Sequence, residues 1–164
     1  MNTLQRTGKE ITPIYHRHVD TVYKVCYMLL RKTHDAEEAT QTVFLKLMQS
    51  ETRFRDTEHE KAWLIVTAKN HCKNMLGHWW RRLLVTMEEV DQRKLSRNDQ
   101  HDETLEEVLS LPEKYRMPLY LFYYEGYATK EIAKLLSIKE ATVRTRLHMG
   151  RKLLKLQIGG ESDE

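Results

Sequence analysis

The sequence predicts an all-α protein made of two small helical domains joined by a flexible linker. Apolar residues recur at three- and four-residue spacing through most of the chain. Gly and Pro, the residues that most weaken a helix interior, number only 6 and 3 in 164 residues. One polar stretch of mixed charge, LLVTMEEVDQRKLSRNDQHD, interrupts the periodicity near the middle. The expected divisions are a first unit over 1–82, a connector over 83–102, a second unit over 103–158 and an acidic tail over 159–164.

In the first unit a helix is expected from Ile14, with Val19, Val22, Cys26, Leu29 and Leu30 on its apolar side. In THDAEEATQTVFLKLM, Asp35 is a candidate N-cap and Glu38 falls at the capping-box spacing. Ala36, Ala39, Val43 and Leu47 form the inward stripe of that second helix. A third helix is expected from about His59 to Trp80, burying Leu64, Ile65, Ala68, Cys72, Met75 and Leu76. In the second unit the helical pattern returns in ETLEEVLSLPEKYRMPLYLFYYEG, followed by two shorter helices in ATKEIAKLLS and KEATVRTRLHMGRKLLKLQ. At roughly 55 residues, this unit has a size at which one core gives marginal stability. Tyr120, Tyr123, Tyr124 and Tyr127 read mainly as core residues with polar tips, and secondarily as a partner surface.

The last two helices have the pattern of a helix-turn-helix. Ala133 is a small residue in the first, Ile132, Leu135 and Leu136 supply its buried side, and Val143 and Leu147 anchor the second across a short turn. Ser137 stands at the turn where Gly is common. Projected at about 100° per residue, Val143, Leu147, Gly150 and Leu154 share one face, while Ala141, Arg144, Thr145, His148, Met149 and Lys152 face outward. The N-terminal half of such a helix enters the major groove, where Arg donates two bonds to guanine and Thr meets a base edge or a thymine methyl. Arg144 and Thr145 are the leading candidate base readers. Arg146, Arg151, Lys152 and Lys155 are better placed for phosphates, which position a protein without reading sequence.

Two further faces lie in the first unit. Trp63, Val66, Thr67, Asn70, Lys73 and Asn74 fall together opposite the core stripe of the third helix, with Lys69 at their edge. An aromatic among small polar groups and cations suits single-stranded nucleic acid, whose bases stack while cations follow the backbone. Phe54 and Arg55 before this helix, and Trp79, Trp80, Arg81 and Arg82 at its end, extend the same chemistry. Core packing of Trp63 and Trp79 is the competing reading. On the second helix, Glu37, Gln41, Phe44 and Met48 align on a side of their own, either as a docking strip for a protein partner or with Phe44 packed inside.

The formal net charge is +3, with a sequence pI of about 8.8, which permits nucleic-acid binding without requiring it. Cys26 and Cys72 have no CxxC spacing and read as reduced, buried thiols; the 8 His are scattered. Neither a metal nor another cofactor is expected. The chain has no GxxxxGK[ST] phosphate loop, no HExxH and no convincing carboxylate cluster, so an enzyme is not expected. MNTLQRTGKEIT lacks the apolar run of a signal peptide, and no segment reaches a membrane span, so a cytoplasmic protein without direct membrane insertion is expected.

Taken in order, these segments resemble the extracytoplasmic-function group of bacterial RNA polymerase sigma factors, in the sigma-70 family. HDAEEATQTVFLKLM is similar to the family's DAEDLTQEVFLRAW, and KAWLIVTAKN after an FR pair is similar to FRAWLYRIARN. The segment LPEKYRMPLYLFYYEGYATKEIAKLLSIKEATVRTRLHMGRKLL is similar to the second conserved region, so the resemblance runs from Ile14 to Leu156.

The resemblance implies a region 2 helical bundle and a region 4 helix-turn-helix. It also implies binding to core RNA polymerase and to promoter DNA, duplex at minus-35 and single-stranded at minus-10, and regulation by an anti-sigma factor. Asp35, Glu37, Gln41 and Phe44, joined by Met48, would meet the polymerase clamp. Phe54, Arg55, Trp63, Thr67, Asn70, Lys73, Asn74, Arg81 and Arg82 would hold the minus-10 strand. Lys139, Thr142, Arg144, Thr145, His148, Arg151 and Lys152 would form the minus-35 surface, and the connector would lie in polymerase channels. Where the family often reads LHRAR this chain reads LHMGR. Met149 thus replaces a cation, and Gly150 lowers helix propensity by about 1 kcal/mol relative to Ala. The rival reading, a stand-alone dimeric helix-turn-helix regulator, leaves the aromatic-cationic face and the region 2 resemblance unexplained.

Overall fold

The computed structural model describes residues 8–83 and 103–158, with side chains over 8–79 and 105–155. All regular elements among the described residues are α-helices. The chain divides into two compact units, Met1–Ser96 and Arg97–Glu164. Residues 84–102 of the expected 83–102 connector, the tail over 159–164 and the side chains of Trp80, Arg81 and Arg82 lie outside the described residues.

The first unit holds α1 (Gly8–Leu30), α2 (Thr33–Gln49) and α3 (Thr57–Leu83), each packed on the other two. Val22, Cys26, Leu29 and Leu30 of α1 meet the predicted stripe of α2, Ala36, Ala39, Val43 and Leu47. Leu64, Ile65, Ala68 and Cys72 of α3 complete this core, whereas Val19, Met75 and Leu76 are only half-buried. The two thiols are free and buried side by side; the hydrogen bond to Cys26, with burial, holds the Cys72 thiol well above its usual range.

Helix α2 starts earlier than the capping pattern predicts. Arg31 adopts the left-handed conformation (φ 60°) and its N–H donates to the Tyr27 carbonyl at 2.8 Å, closing α1. Lys32 is then extended and serves as the N-cap, so Asp35 is not the cap. Asp35 lies inside the first turn, 3.5 Å from Lys32 Nζ, where a carboxylate favours the helix dipole. The cap the sequence reading missed belongs to α3, where Asp56 Oδ1 accepts the His59 N–H at 2.8 Å. Lys69, placed at the polar edge by periodicity, is buried, because α3 is covered beyond its apolar stripe; burial and then Lys73 lower its pKa.

A polar cluster ties α1 to α3. Glu60 is buried, and its Oε1 lies 2.8 Å from His18 Nε2. Arg17 donates to both Glu60 carboxylate oxygens, through Nη2 at 3.0 and 3.1 Å and through Nε at 3.2 Å.

The second unit holds α4 (Glu103–Leu109), α5 (Glu113–Tyr123), α6 (Thr129–Leu136) and α7 (Glu140–Ile158). The periodic run from Glu103 divides into two helices: Pro112 disfavours a helical Leu111, and the Ser110 and Leu111 N–H groups close α4 on the Glu107 and Val108 carbonyls. Helix α7 packs on α5 and α6. Gly150 faces α5, and a Cβ built there would lie 2.9 Å from Leu119 Cδ1 and 3.3 Å from both Leu119 Cγ and Tyr115 Cβ. The glycine that departs from the family pattern is therefore a close helix-helix contact. No helix among the described residues is long and apolar enough to cross a membrane.

Candidate nucleic-acid interface

In the second unit the turn from α6 to α7 fixes the presentation of α7. Glu131 Oε1 accepts the Ala128 N–H at 2.8 Å and so starts α6. Ser137 closes α6 in the left-handed conformation (φ 59°), and the Ile138 N–H donates to the Ala133 carbonyl at 3.0 Å. Ala133, Ile132 and Leu135 are buried with Val143 and Leu147, whereas Leu136, also expected on the buried side, is half-buried. With that face inward, Arg144, Thr145, His148, Met149, Arg151 and Lys152 are exposed along α7, as is Lys139 in the turn; Thr142 is half-buried.

Three polar contacts shape this surface. Arg144 Nη1 lies 3.0 Å from Glu140 Oε2, which also accepts from Thr129 Oγ1 of α6 at 2.8 Å. Arg151 Nη1 donates to the Tyr123 hydroxyl at 3.2 Å, so part of its donor set is turned toward α5. A groove of about 300 Å³ runs between Lys114 and Tyr115 of α5 and Thr142, Thr145, Arg146 and Met149 of α7. The sequence reading singled out neither Lys114 nor Tyr115 for this surface, because the pattern of one helix does not reveal what flanks it.

In the first unit Asn70, Lys73 and Asn74 are exposed on α3, and Trp63, Val66 and Thr67 are half-buried beside them. The preceding loop adds a built aromatic cluster. The Phe54 ring stands edge-on to His59 at 5.2 Å and to Trp63 at 5.9 Å between centroids. His59 Nδ1 accepts the Arg55 N–H at 3.1 Å, which leaves Nε2 as the protonated nitrogen of the neutral ring. Trp63 is half-buried, packed against Phe54 and still partly open to solvent. Arg55 is exposed, and His59, which supports the loop, was not predicted individually.

On α2, Glu37 and Gln41 are exposed and Met48 is half-buried. Of the two readings of Phe44, the one in which it packs inside holds. At 5% exposure it belongs to the core, with its ring edge-on to Tyr15 at 4.9 Å, because it continues the buried row of Thr40 onto α1. Its neighbour Leu45 is the exposed apolar residue, at 54%, and an apolar position outside the core stripe was the available sign of it. Burial, then Tyr27 and Glu37, pushes the Tyr23 phenol up to about 12, so the hydroxyl near the acidic edge of this strip stays protonated.

The family models described as "Sigma-70 region 2" and "Sigma-70, region 4" match residues 14–82 and 101–154. The chain is similar to the "ECF RNA polymerase sigma factor SigE" of Mycolicibacterium smegmatis, with 30% identity over 92% of this chain and 62% of that protein. It is also similar to "ECF RNA polymerase sigma factor SigW" of Bacillus subtilis, with 27% identity over 91% of this chain and 87% of the relative. Among solved structures it resembles the sigma factor RpoE from Bartonella quintana, crystallised with the anti-sigma factor NepR. That likeness has a TM-score of 0.75 and 15% identity, over 94% of this chain and 99% of the other, and bears on the fold. The chain spans less than two thirds of the first of these relatives and most of the second. This chain belongs to the sigma-70 family of RNA polymerase sigma factors, in its extracytoplasmic-function group.

Proposed function

We propose that this chain is a promoter-specificity subunit that acts after joining core RNA polymerase, directs it to promoters and promotes their melting, while catalysing no bond change itself. The observation that carries this reading is the presence, in one chain, of two exposed surfaces of different nucleic-acid chemistry. One is a cationic helix-turn-helix face on α7, and the other is an aromatic, amide and lysine face on α3 with its Phe54 loop. Duplex DNA suits the first and unstacked bases suit the second. A protein that binds the melted strand better than the duplex shifts the equilibrium toward the open promoter by that difference in affinity.

In this reading Arg144, Thr145 and His148 meet base edges of the minus-35 element, and Lys139, Thr142, Arg151 and Lys152 hold its backbone. Phe54, Arg55, Trp63, Thr67, Asn70, Lys73 and Asn74 receive the minus-10 strand, with Arg81 and Arg82 farther along. The polymerase clamp takes the α2 strip of Asp35, Glu37, Gln41 and Met48, to which we add Leu45 and from which buried Phe44 is removed. Functionally, 1–82 and 103–158 act as the two promoter-binding units, the 83–102 connector follows polymerase channels and the protein works in the cytoplasm. An anti-sigma factor that masks these surfaces is the expected negative partner; the RpoE of Bartonella quintana is crystallised in complex with one.

Transcription with purified core polymerase and a genomic DNA library tests the reading. Adding the protein should create new transcript starts that share upstream elements. Tight binding to such DNA without core, combined with no new starts in its presence, would identify a stand-alone regulator instead.

A further inference from the structure

Glu140 is the sole acid in the segment EATVRTRLHMGRKLLK. A carboxylate at the DNA-facing end of such a helix repels phosphate and weakens binding to any sequence. Its contacts give it a use. Oε2 accepts from Thr129 Oγ1 at 2.8 Å, which anchors it to the start of α6, and meets Arg144 Nη1 at 3.0 Å. The Arg144 side chain is 60% exposed and that of Glu140 36%, so the pair sits at the surface with the arginine the more exposed partner. A guanidinium has five N–H donors. With one Nη1 hydrogen on Glu140, the Nε–Nη2 edge remains for two parallel bonds to guanine O6 and N7.

We propose that Glu140 is a positioning residue for sequence reading: anchored by Thr129, it orients the Arg144 fork before DNA arrives. This rests on the assignment of Arg144 as a minus-35 base reader. An untethered arginine loses rotamer freedom when it binds a base, and holding it in place beforehand lowers that cost at one base position only. Stabilisation of the α7 N-terminus by an acidic first turn is the competing account, and it affects all DNA alike.

The test uses holoenzyme assembled from core polymerase and the full chain, on a promoter found by the start-site mapping above. Each upstream-element guanine is replaced singly by 7-deazaguanine, which lacks the N7 acceptor, and binding is measured by competition. The Arg144 position is the one whose penalty vanishes in Arg144→Ala. There the unmodified chain should show a penalty of about tenfold. Glu140→Ala should reduce it to about threefold or less with the other positions unchanged. Thr129→Val, which keeps the charge and removes only the anchor, should act in the same direction and carries the test should Glu140→Ala lose helix. Retention of the full penalty in the folded variants overturns the proposal. So does a uniform change at every position and on scrambled DNA. If Arg144→Ala removes no position-specific penalty, the base-reader assignment fails first and the positioning role falls with it.

Discussion

Glu60 brings a carboxylate into a site where the residue is only 7% exposed, and the side chains of Arg17 and His18 meet it there. Removing one partner of a buried pair leaves the other desolvated, so Glu60→Ala should lower unfolding stability by about 2–3 kcal/mol in urea titration. Arg17→Ala should cost about 1 kcal/mol or less, since that side chain is 43% exposed and water replaces its partner. His71 gives a pH dependence of definite sign. Burial, then Lys46, lowers its pKa below the ordinary 6.5, so the folded state resists protonation. Well above pH 6.5 both states are neutral and the residue contributes nothing to pH dependence. As pH falls through 6.5 the unfolded chain takes up the proton first, and stability is lost until the lower folded pKa is passed. His71→Gln should therefore lose less stability than the parent chain between about pH 7 and 5, read by thermal melting at each pH. Neither effect was legible in the sequence. His18 and Glu60 are 42 positions apart, and only the packing of α1 on α3 brings them together.

The inward stripes of the helices were legible because each follows a 3.6-residue period, and Ala36, Ala39, Val43, Leu47, Val143 and Leu147 are buried as that period requires. Helix ends were less so. The start of α2 depends on a left-handed Arg31, a conformation that a non-glycine side chain does not announce. Phe44 shows the other limit. It lies beside the core stripe, and the neighbouring helix α1 decides whether that flank is covered, which α2 alone does not encode. At this scale Gly150→Ala separates helix propensity from packing. Propensity alone favours alanine by about 1 kcal/mol. The new methyl, however, meets Leu119, a fully buried side chain with little room to move, and Tyr115 Cβ, which is fixed to the backbone of α5. Overpacking costs about 1–3 kcal/mol, so Gly150→Ala should be net destabilising by about 1 kcal/mol, measured as a lowered urea midpoint of the full chain.

For the whole molecule, the proposed division of labour rests on which chemistry each unit exposes. The cationic face of α7 was readable because helix-turn-helix spacing fixes both the buried and the outward positions. The face of α3 was half readable. Its polar residues are exposed as the period predicts, but the Phe54–His59–Trp63 cluster and the groove beside Tyr115 depend on contacts between segments. The most direct measurement compares Asn70→Ala and Arg144→Ala in reconstituted holoenzyme, on matched promoters whose minus-10 segment is either duplex or already opened by mismatches. Productive initiation is scored on both templates. The two-surface account predicts that Asn70→Ala is impaired at least tenfold on duplex DNA, with most of that loss recovered on the pre-opened template. It predicts that Arg144→Ala shows the same loss on both, confined to promoters with an intact minus-35 element. Equal losses for Asn70→Ala on duplex and pre-opened templates would contradict the account.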